Sequence, residues 1–328
     1  MSVDLAVRVA GLELKNPVVA GSGEATATEA GIRACLDAGA AAVVAKSVNE
    51  SAAARAQLRA AEYVVLDEHL QPRPLGPAGR TDSLFCRSGL LDVELAEWID
   101  TIARLDRDAA TRDAYVVPSL IVADLEEAAR HARAFEAAGV RWLELNVGAP
   151  HAEEASAGAL RTGVDLVARV RAAVSIPLSV KLRAGDSVAD TLAAGADAVC
   201  LATRAMAFVP DLETRRPLLG TFAAIGGAWA LPLSLREVAK AHLAQPEASI
   251  VGTNGARDGY DVARFLLAGA SAVAMTSAVI TNGPAVLARA LGELAGYCAD
   301  HGVAARELVG EAARHVQTYE EVAIERRL

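Results

Sequence analysis

The sequence predicts a (β/α)8 barrel of the TIM type, and three observations carry that expectation. First, a phrase recurs in which a helix-like stretch ends in Ala-Gly or a close variant and a short β-rich run follows: ACLDAGAAAVVAKS, FEAAGVRWLELNVG, TLAAGADAVCLATR and FLLAGASAVAMTSA. Second, the residues after each of these turns are apolar without alternation, as expected of a parallel strand covered on both faces. Third, eight such runs over roughly 280 residues fit a closed barrel better than an open sheet of six or seven strands. A doubly wound sheet is the alternative, but no GxGxxG fingerprint follows the first strand.

In chain order the strand candidates begin with PVVAGSG at 17–23 and the run after Gly39, then YVVPSLIV at 115–122 and the run after Gly139. PLSVKLRA at 177–184, the run after Gly195, ASIVGTNG at 248–255 and the run after Gly269 complete the set. Gly39, Gly139, Gly195 and Gly269 stand where a helix ends, and glycine accepts the left-handed conformation that closes one. The intervening stretches are amphipathic: LEEAARHARAFEA and GVDLVARVRAAV repeat apolar residues at i, i+3 and i+4. Two connections are long, residues 49–100 after the second strand and 205–240 after the sixth. Both read as lids or binding walls on the catalytic face. The tail from about Arg306 to Leu328 reads as one or two charged surface helices, and residues 1–328 as a single domain.

Composition narrows the function. Of 328 residues 53% are hydrophobic but only 4% aromatic, and 41 acidic against 32 basic residues leave a net charge of −9. A nucleic-acid-binding face needs clustered Lys and Arg, so none is expected. No apolar stretch reaches 18 residues, so no membrane span is expected. The N-terminus resembles neither a signal nor a transit peptide, which points to the cytoplasm. Cys35, Cys86, Cys200 and Cys298 lack metal or redox spacing, and only Cys86 falls in a loop-like segment. No metal site is expected.

Barrel chemistry lies at the C-terminal strand ends. These offer Gly21-Ser22-Gly23, Lys46-Ser47, Ser119, Asn146, Lys181, Thr203-Arg204, Asn254-Gly255 and Thr276-Ser277. A lysine so near an apolar interior needs an anionic partner or a lowered pKa. Lys46 and Lys181 therefore read either as Schiff-base nucleophiles or as cations facing a bound anion or electron-rich ring. Strands seven and eight end in small residues and glycine, and with Gly226-Gly227 they can leave backbone N–H groups free for a phosphate.

The segments LKNPVVAGSG, AAVVAKSV, WLELNVGAPH, IPLSVKL, IGGAWALP and IVGTNGARDGYDVARFLLAGASAVAMTSAVI occur in an order and spacing that resembles the dihydroorotate dehydrogenases. The resemblance runs from about residue 7 to about residue 300. It is strongest to the soluble class 1 enzymes and to the pyrimidine-reducing domain of dihydropyrimidine dehydrogenase. It implies an FMN-binding barrel, a homodimer, and electron exchange either with a soluble acceptor or with a separate electron-transfer protein. Gly21, Ser22 and Lys46 would then lie along the flavin ring, and Asn146 and Lys181 would face ring and ribityl chain. Gly226, Gly227, Asn254, Gly255, Thr276 and Ser277 would hold the phosphate. The family usually shows Gly-Gly at Asn254-Gly255 and Gly-Thr at Thr276-Ser277.

The substrate side departs from the family. Its base motif reads Asn-x-Ser-Cys-Pro-Asn, or Ser-Ser-Pro-Asn in the membrane class. Here Asn146-Val147-Gly148-Ala149-Pro150-His151 puts a methyl group at the base position. The asparagines that read the pyrimidine are replaced by Cys86, His151 and Thr203, and Asn146 alone is kept. A pocket without its amide readers and its proton carrier implies a substrate other than dihydroorotate. His151 and Cys86 are the candidate proton carriers, with Ser88 and Ser156 behind them. Gly89 and Arg204 join the substrate side, where Arg87 or Arg204 could clamp a carboxylate. Trp142 and Trp229 read as core or flavin-wall aromatics. The leading expectation is thus an FMN-dependent oxidoreductase acting on a CH–CH or C=C group. A Schiff-base lyase or isomerase on a phosphorylated substrate, and a catalytically silent flavoprotein, are the alternatives.

Overall fold

A computed structural model describes residues 3–48, 61–121, 124–147, 163–201 and 205–318. A hairpin of β1 (Val7–Val9) and β2 (Leu12–Leu14) precedes the barrel, which starts with β3 (Val18–Ala20) and β4 (Ala42–Val44). The chain leaves the barrel for β5 (Glu62–Leu66), β6 (Pro72–Pro74) and β7 (Ser83–Arg87). It returns as β8 (Tyr115–Val117), β9 (Ser119–Leu120), β10 (Leu143–Asn146), β11 (Leu178–Lys181) and β12 (Ala198–Leu201). After a second excursion through β13 (Ala205–Ala207) and β14 (Ala223–Gly227), it ends the barrel with β15 (Ser249–Thr253) and β16 (Ala272–Met275).

The barrel strands are parallel in the order β8-β4-β3-β16-β15-β12-β11-β10-β9. The two ends of that order are halves of one strand, interrupted at Pro118, which has no N–H for the ladder. β8 pairs with β4 and β9 with β10, so the ring is closed and is the (β/α)8 barrel that the repeat predicts. All eight expected strand runs contain a barrel strand. The predicted glycine stops hold too, with φ of 95°, 90°, 104° and 108° at Gly39, Gly139, Gly195 and Gly269.

The helices are α1 (Glu29–Asp37), α2 (Leu95–Ala110), α3 (Leu125–Ala137), α4 (Gly163–Arg171) and α5 (Val188–Ala193). They continue with α6 (Leu231–Ala244), α7 (Gly259–Leu267), α8 (Ser277–Asn282) and α9 (Ala285–His301). Thr28, Asp124, Ser187 and Asp258 cap the N-termini of α1, α3, α5 and α7 by accepting from backbone N–H groups. Ile102, Leu105, Phe135 and Phe265 are fully buried between helices and barrel.

The long connections after the second and sixth strands, expected as binding walls, carry strands of their own and pair with each other in a sheet of order β13-β14-β7-β5-β6. That sheet has a core of its own, Leu66, Phe85, Val209, Leu219 and Ala223. Cys86 consequently lies on a strand, buried, opposite Tyr63 and Ala224. The tail from Ala305 also forms no α-helix among the described residues, only short 3-10 turns at Ala305–Leu308 and Ala313–His315. Gly310 is the reason: its φ of 73° breaks the helical path, and its missing Cβ admits the His242 ring.

The extra sheet is fastened to the barrel by charge. Arg80 donates to Asp258 at 2.9 Å and to the fully buried Asp261 at 2.8 Å, while Arg257 reaches the Gly79 carbonyl at 2.5 Å. Among the described residues no helix is long and apolar enough to cross a membrane. None of them form a His, Cys, Asp and Glu group that could hold a metal.

Candidate active site

A cleft opens where the barrel strands end beneath the extra sheet. Its wall combines Ser22 after β3, Lys181 at the end of β11, Asn254 and Gly255 after β15, and Thr276 and Ser277 after β16. From above, β14 and β7 add Gly226 and Leu84, which pair across the antiparallel ladder. Leu84 and Cys86 are two residues apart on β7 and so share the face turned away from Phe85 and its core.

Backbone geometry at the cleft depends on two close approaches. A Cβ on Gly21 would overlap Thr276 Oγ1, so the β3 and β16 ends come together only because Gly21 has none. The Asn254-Gly255 turn has φ of 66° and 123°. Its glycine packs on the backbone of Leu231, where a Cβ would stand 2.6 Å from Cα. Ser234 Oγ donates to the Asn254 carbonyl at 2.7 Å and fixes the turn to α6.

The polar floor lies deeper. Ser119 Oγ donates to Glu144 Oε1 at 2.8 Å, in keeping with the pairing of these residues across β9 and β10. Ser47 Oγ lies 2.9 Å from Ser119 Oγ and 3.4 Å from Ser22 Oγ, and accepts from Asn146 Nδ2 at 3.2 Å. Ser47 reaches this position because the chain after β4 continues alongside the third strand, with Val48 bridged to Leu120. Glu144 is fully enclosed. Burial pushes its carboxyl above the usual range, and the Lys181 ammonium and the Ser119 hydroxyl pull the other way. The neighbouring Cys200 thiol is pushed up to about 12, chiefly by burial and then by the Glu144 charge.

Lys46 is buried and its ammonium is ion-paired with Glu24, on the short turn Glu24–Thr26 after β3. The lysine's backbone N–H donates to the Thr26 carbonyl at 3.0 Å and clasps that turn to the end of β4. Gly227 lies beside Gly226 on β14. Arg87 donates to the Leu219 carbonyl at 3.0 Å and to Glu62 at 3.2 Å, contacts within the extra sheet. Ser88 and Gly89 follow directly after β7. Trp142 is buried in the barrel, edge-on to Tyr115 at 6.0 Å, and Trp229 donates to Ser83 Oγ at 2.9 Å. His151, Ser156, Thr203, Arg204 and Ala149 lie outside the described residues.

Most of the expected cofactor set is therefore gathered around one cleft. Sequence reasoning misses Glu24 and Glu144, yet each leaves a signal: a lone charge directly after GSG, and the one charge inside the strand LELN.

The family model described as dihydroorotate dehydrogenase matches residues 82–297. The chain belongs to the dihydroorotate dehydrogenase family. It is 30% identical over 96% of its length to the catalytic subunit of dihydroorotate dehydrogenase B (NAD(+)) from Desulforudis audaxviator, 99% of which is covered. The corresponding subunit from Thermoplasma acidophilum is 26% identical, with 95% and 99% covered. A putative dihydroorotate dehydrogenase A (fumarate) from Solibacter usitatus is 34% identical over 53% of this chain and 60% of its own. The chain is thus a divergent member of this oxidoreductase family. The matched stretch takes in β7, β13 and β14 of the extra sheet, while β5 and β6 precede it.

Proposed function

We propose that the protein is a cytoplasmic, single-domain, FMN-dependent oxidoreductase that moves a hydride between flavin and a CH–CH or C=C group of a small polar substrate other than dihydroorotate. The observation that carries this reading is the cleft itself, in which Lys181 stands among Gly226, Asn254, Gly255, Thr276 and Ser277. The fit to a phosphate-bearing planar cofactor rests on backbone exposed by small residues, on the close approach at Gly21, and on a cation for an anionic group. Bound there, FMN would supply the two-electron hydride carrier. Asn254, Gly255, Thr276 and Ser277 would bind the phosphate, and Ser22 and Asn146 would orient the ring. Lys181 would stabilise negative charge on it.

The substrate assignment rests on residues 146–151, where Ala149 offers no proton-transfer group. His151 and Cys86 are proposed to handle the substrate proton, with Ser88, Gly89, Thr203 and Arg204 around the substrate. Lys46 is proposed to stand by the flavin ring as half of its ion pair with Glu24. Electron exchange with a separate protein is supported by relatives named as catalytic subunits, and a homodimer is proposed beside it.

The Schiff-base reading has less support. Such a nucleophile must be free to attack as a neutral amine, whereas Lys46 is ion-paired with Glu24. A silent flavoprotein is the remaining reading, suggested by Ala149.

The visible spectrum of the purified protein, with mass analysis of what heat releases, tests the proposal. Flavin bands and released FMN are expected. A colourless protein that refuses added FMN and is trapped on lysine by borohydride would overturn it. If FMN binds but no electron donor reduces it, and restoring cysteine by Ala149→Cys gives no turnover, the silent reading replaces it.

A further inference from the structure

Four hydrogen-bonding side chains form one unbroken path from the cleft to the barrel interior. Ser22 lines the cleft, Ser47 and Ser119 follow at 3.4 Å and 2.9 Å, and Glu144 ends the path at 2.8 Å. Ser47, Ser119 and Glu144 are all buried. The direction of the path follows from donor counting. A serine hydroxyl has one proton to donate. Ser119 spends its proton on the carboxylate, so it must accept from Ser47, and Ser47, which also accepts from Asn146, must accept from Ser22. Every hydroxyl therefore points toward Glu144 while that group is ionised. Such an arrangement can pass one proton inward by shifting each hydroxyl proton to its neighbour.

We propose that Glu144 stores the proton released when substrate is oxidised, and receives it through Ser22, Ser47 and Ser119. This rests on the oxidoreductase reading above. In the oxidation direction the substrate loses two hydrogens and gains a double bond. One would leave as hydride, and FMN held in the cleft would supply the acceptor for its two electrons. The other would leave as a proton, handed on by the substrate-side carrier to Ser22, whose own proton moves to Ser47, that of Ser47 to Ser119, and that of Ser119 to the Glu144 carboxylate. The hydroxyls end neutral and reversed in direction, and a carboxylate has become a carboxylic acid. The reverse sequence returns the proton to a substrate being reduced.

Charge balance favours this coupling. The described groups facing Glu144 are Ser119 from β9, Lys181 from β11 and Cys200 from β12. With Glu144 ionised, Lys181 is compensated from below. Once Glu144 is protonated, the Lys181 charge is left for whatever anion forms in the cleft, so arrival of a proton below and of electrons above offset each other. Burial already raises the affinity of Glu144 for a proton. The path also supplies a proton acceptor that Ala149 does not.

The test has two arms. In the holoprotein, proton uptake on anaerobic reduction by dithionite is read with a pH indicator in weak buffer, and E144Q is expected to take up about one proton fewer per electron pair. Equal uptake overturns the proposal. In the cofactor-free protein, infrared spectroscopy is expected to find a carboxylic acid band that titrates and is absent from E144Q. The band should exchange in heavy water at least about 10-fold more slowly in S119A, with exchange restored in S119T. A wild-type protein without that band at any pH from acid to alkaline, or S119A exchange as fast as wild type, overturns it. Should E144Q not fold, E144D, whose shorter side chain withdraws from Ser119, is expected to keep the band and lose its fast exchange. Because the second arm needs no flavin, failure to bind FMN would sink the cofactor reading and leave this proposal to be judged separately.

Discussion

Gly21→Ala is the sharpest test of how the cleft is assembled. The added Cβ would overlap Thr276 Oγ1, whereas Ala274 Cβ and Thr276 Cβ lie at an ordinary 3.4 Å. The clash is thus with a single atom. Thr276 cannot simply turn away, since its Cγ2 already packs near Gly23, where a Cβ would lie 3.0 Å off. Overpacking of this kind costs about 1–3 kcal/mol. Thr276→Ala removes the atom at fault and leaves only the 3.4 Å contacts, so in a double-mutant cycle the cost of G21A should largely vanish in the T276A background. Guanidinium unfolding of the four proteins, followed by circular dichroism, measures this. A coupling of about 1–3 kcal/mol with opposite sign to the G21A effect is expected. If G21A costs as much in the T276A background as in the wild type, the β3 and β16 ends do not meet as described, and the cofactor cradle built on them is wrong.

Three more outcomes follow from the same structure. Asp106 is almost fully buried and accepts from Arg141 at 2.7 Å and from the Val116 N–H at 2.9 Å, so D106A should destabilise by about 3–5 kcal/mol in urea unfolding. Glu29 is held at about 2 by its hydrogen bonds to Arg104 and Arg33, against 4.5 ordinarily. A depressed carboxylate stabilises above the unfolded value and loses that contribution as pH falls through the folded one. The stability gap between wild type and E29Q should be full above about pH 4.5 and close toward pH 2; a gap that widens on acidification would contradict the pairing. Finally, Cys35 and Cys200 are buried with thiols pushed up to about 11 and about 12. Both should resist a water-soluble disulfide reagent at neutral pH until the protein unfolds, as followed by mass spectrometry.

The site is legible to different depths. Ser22, Lys181, Asn254, Gly255, Thr276 and Ser277 can be named from the sequence because each directly follows or ends a barrel strand, and strand ends converge in this fold whatever the loops do. Gly226 is different in kind. The Gly226-Gly227 pair suggests a phosphate loop, but Gly226 reaches the cleft only through pairing with Leu84, which lies far earlier in the chain. Cys86 reads as a loop residue because FCRSGLL carries Arg, Ser and Gly in a polar context. Its strand exists only by virtue of that same long-range pairing with β14 and β5, and β propensity depends on such neighbours.

The sequence by itself determined the barrel: a helix, a glycine stop and an apolar run are local signals, and eight repeats of them leave one closed arrangement of parallel strands. It determined as well that residue 149 is alanine, at the place where the resemblance expects the family's base. Only the tertiary structure decided which charges meet. Glu24 and Lys46 are 22 residues apart in sequence and form an ion pair. Ser22, Ser47, Ser119 and Glu144 come from four successive barrel strands or the residues just after them and line up into one hydrogen-bonded path. Local sequence carries no record of such partners, because a buried polar group takes its partner from the register of strands that the closing of the barrel sets.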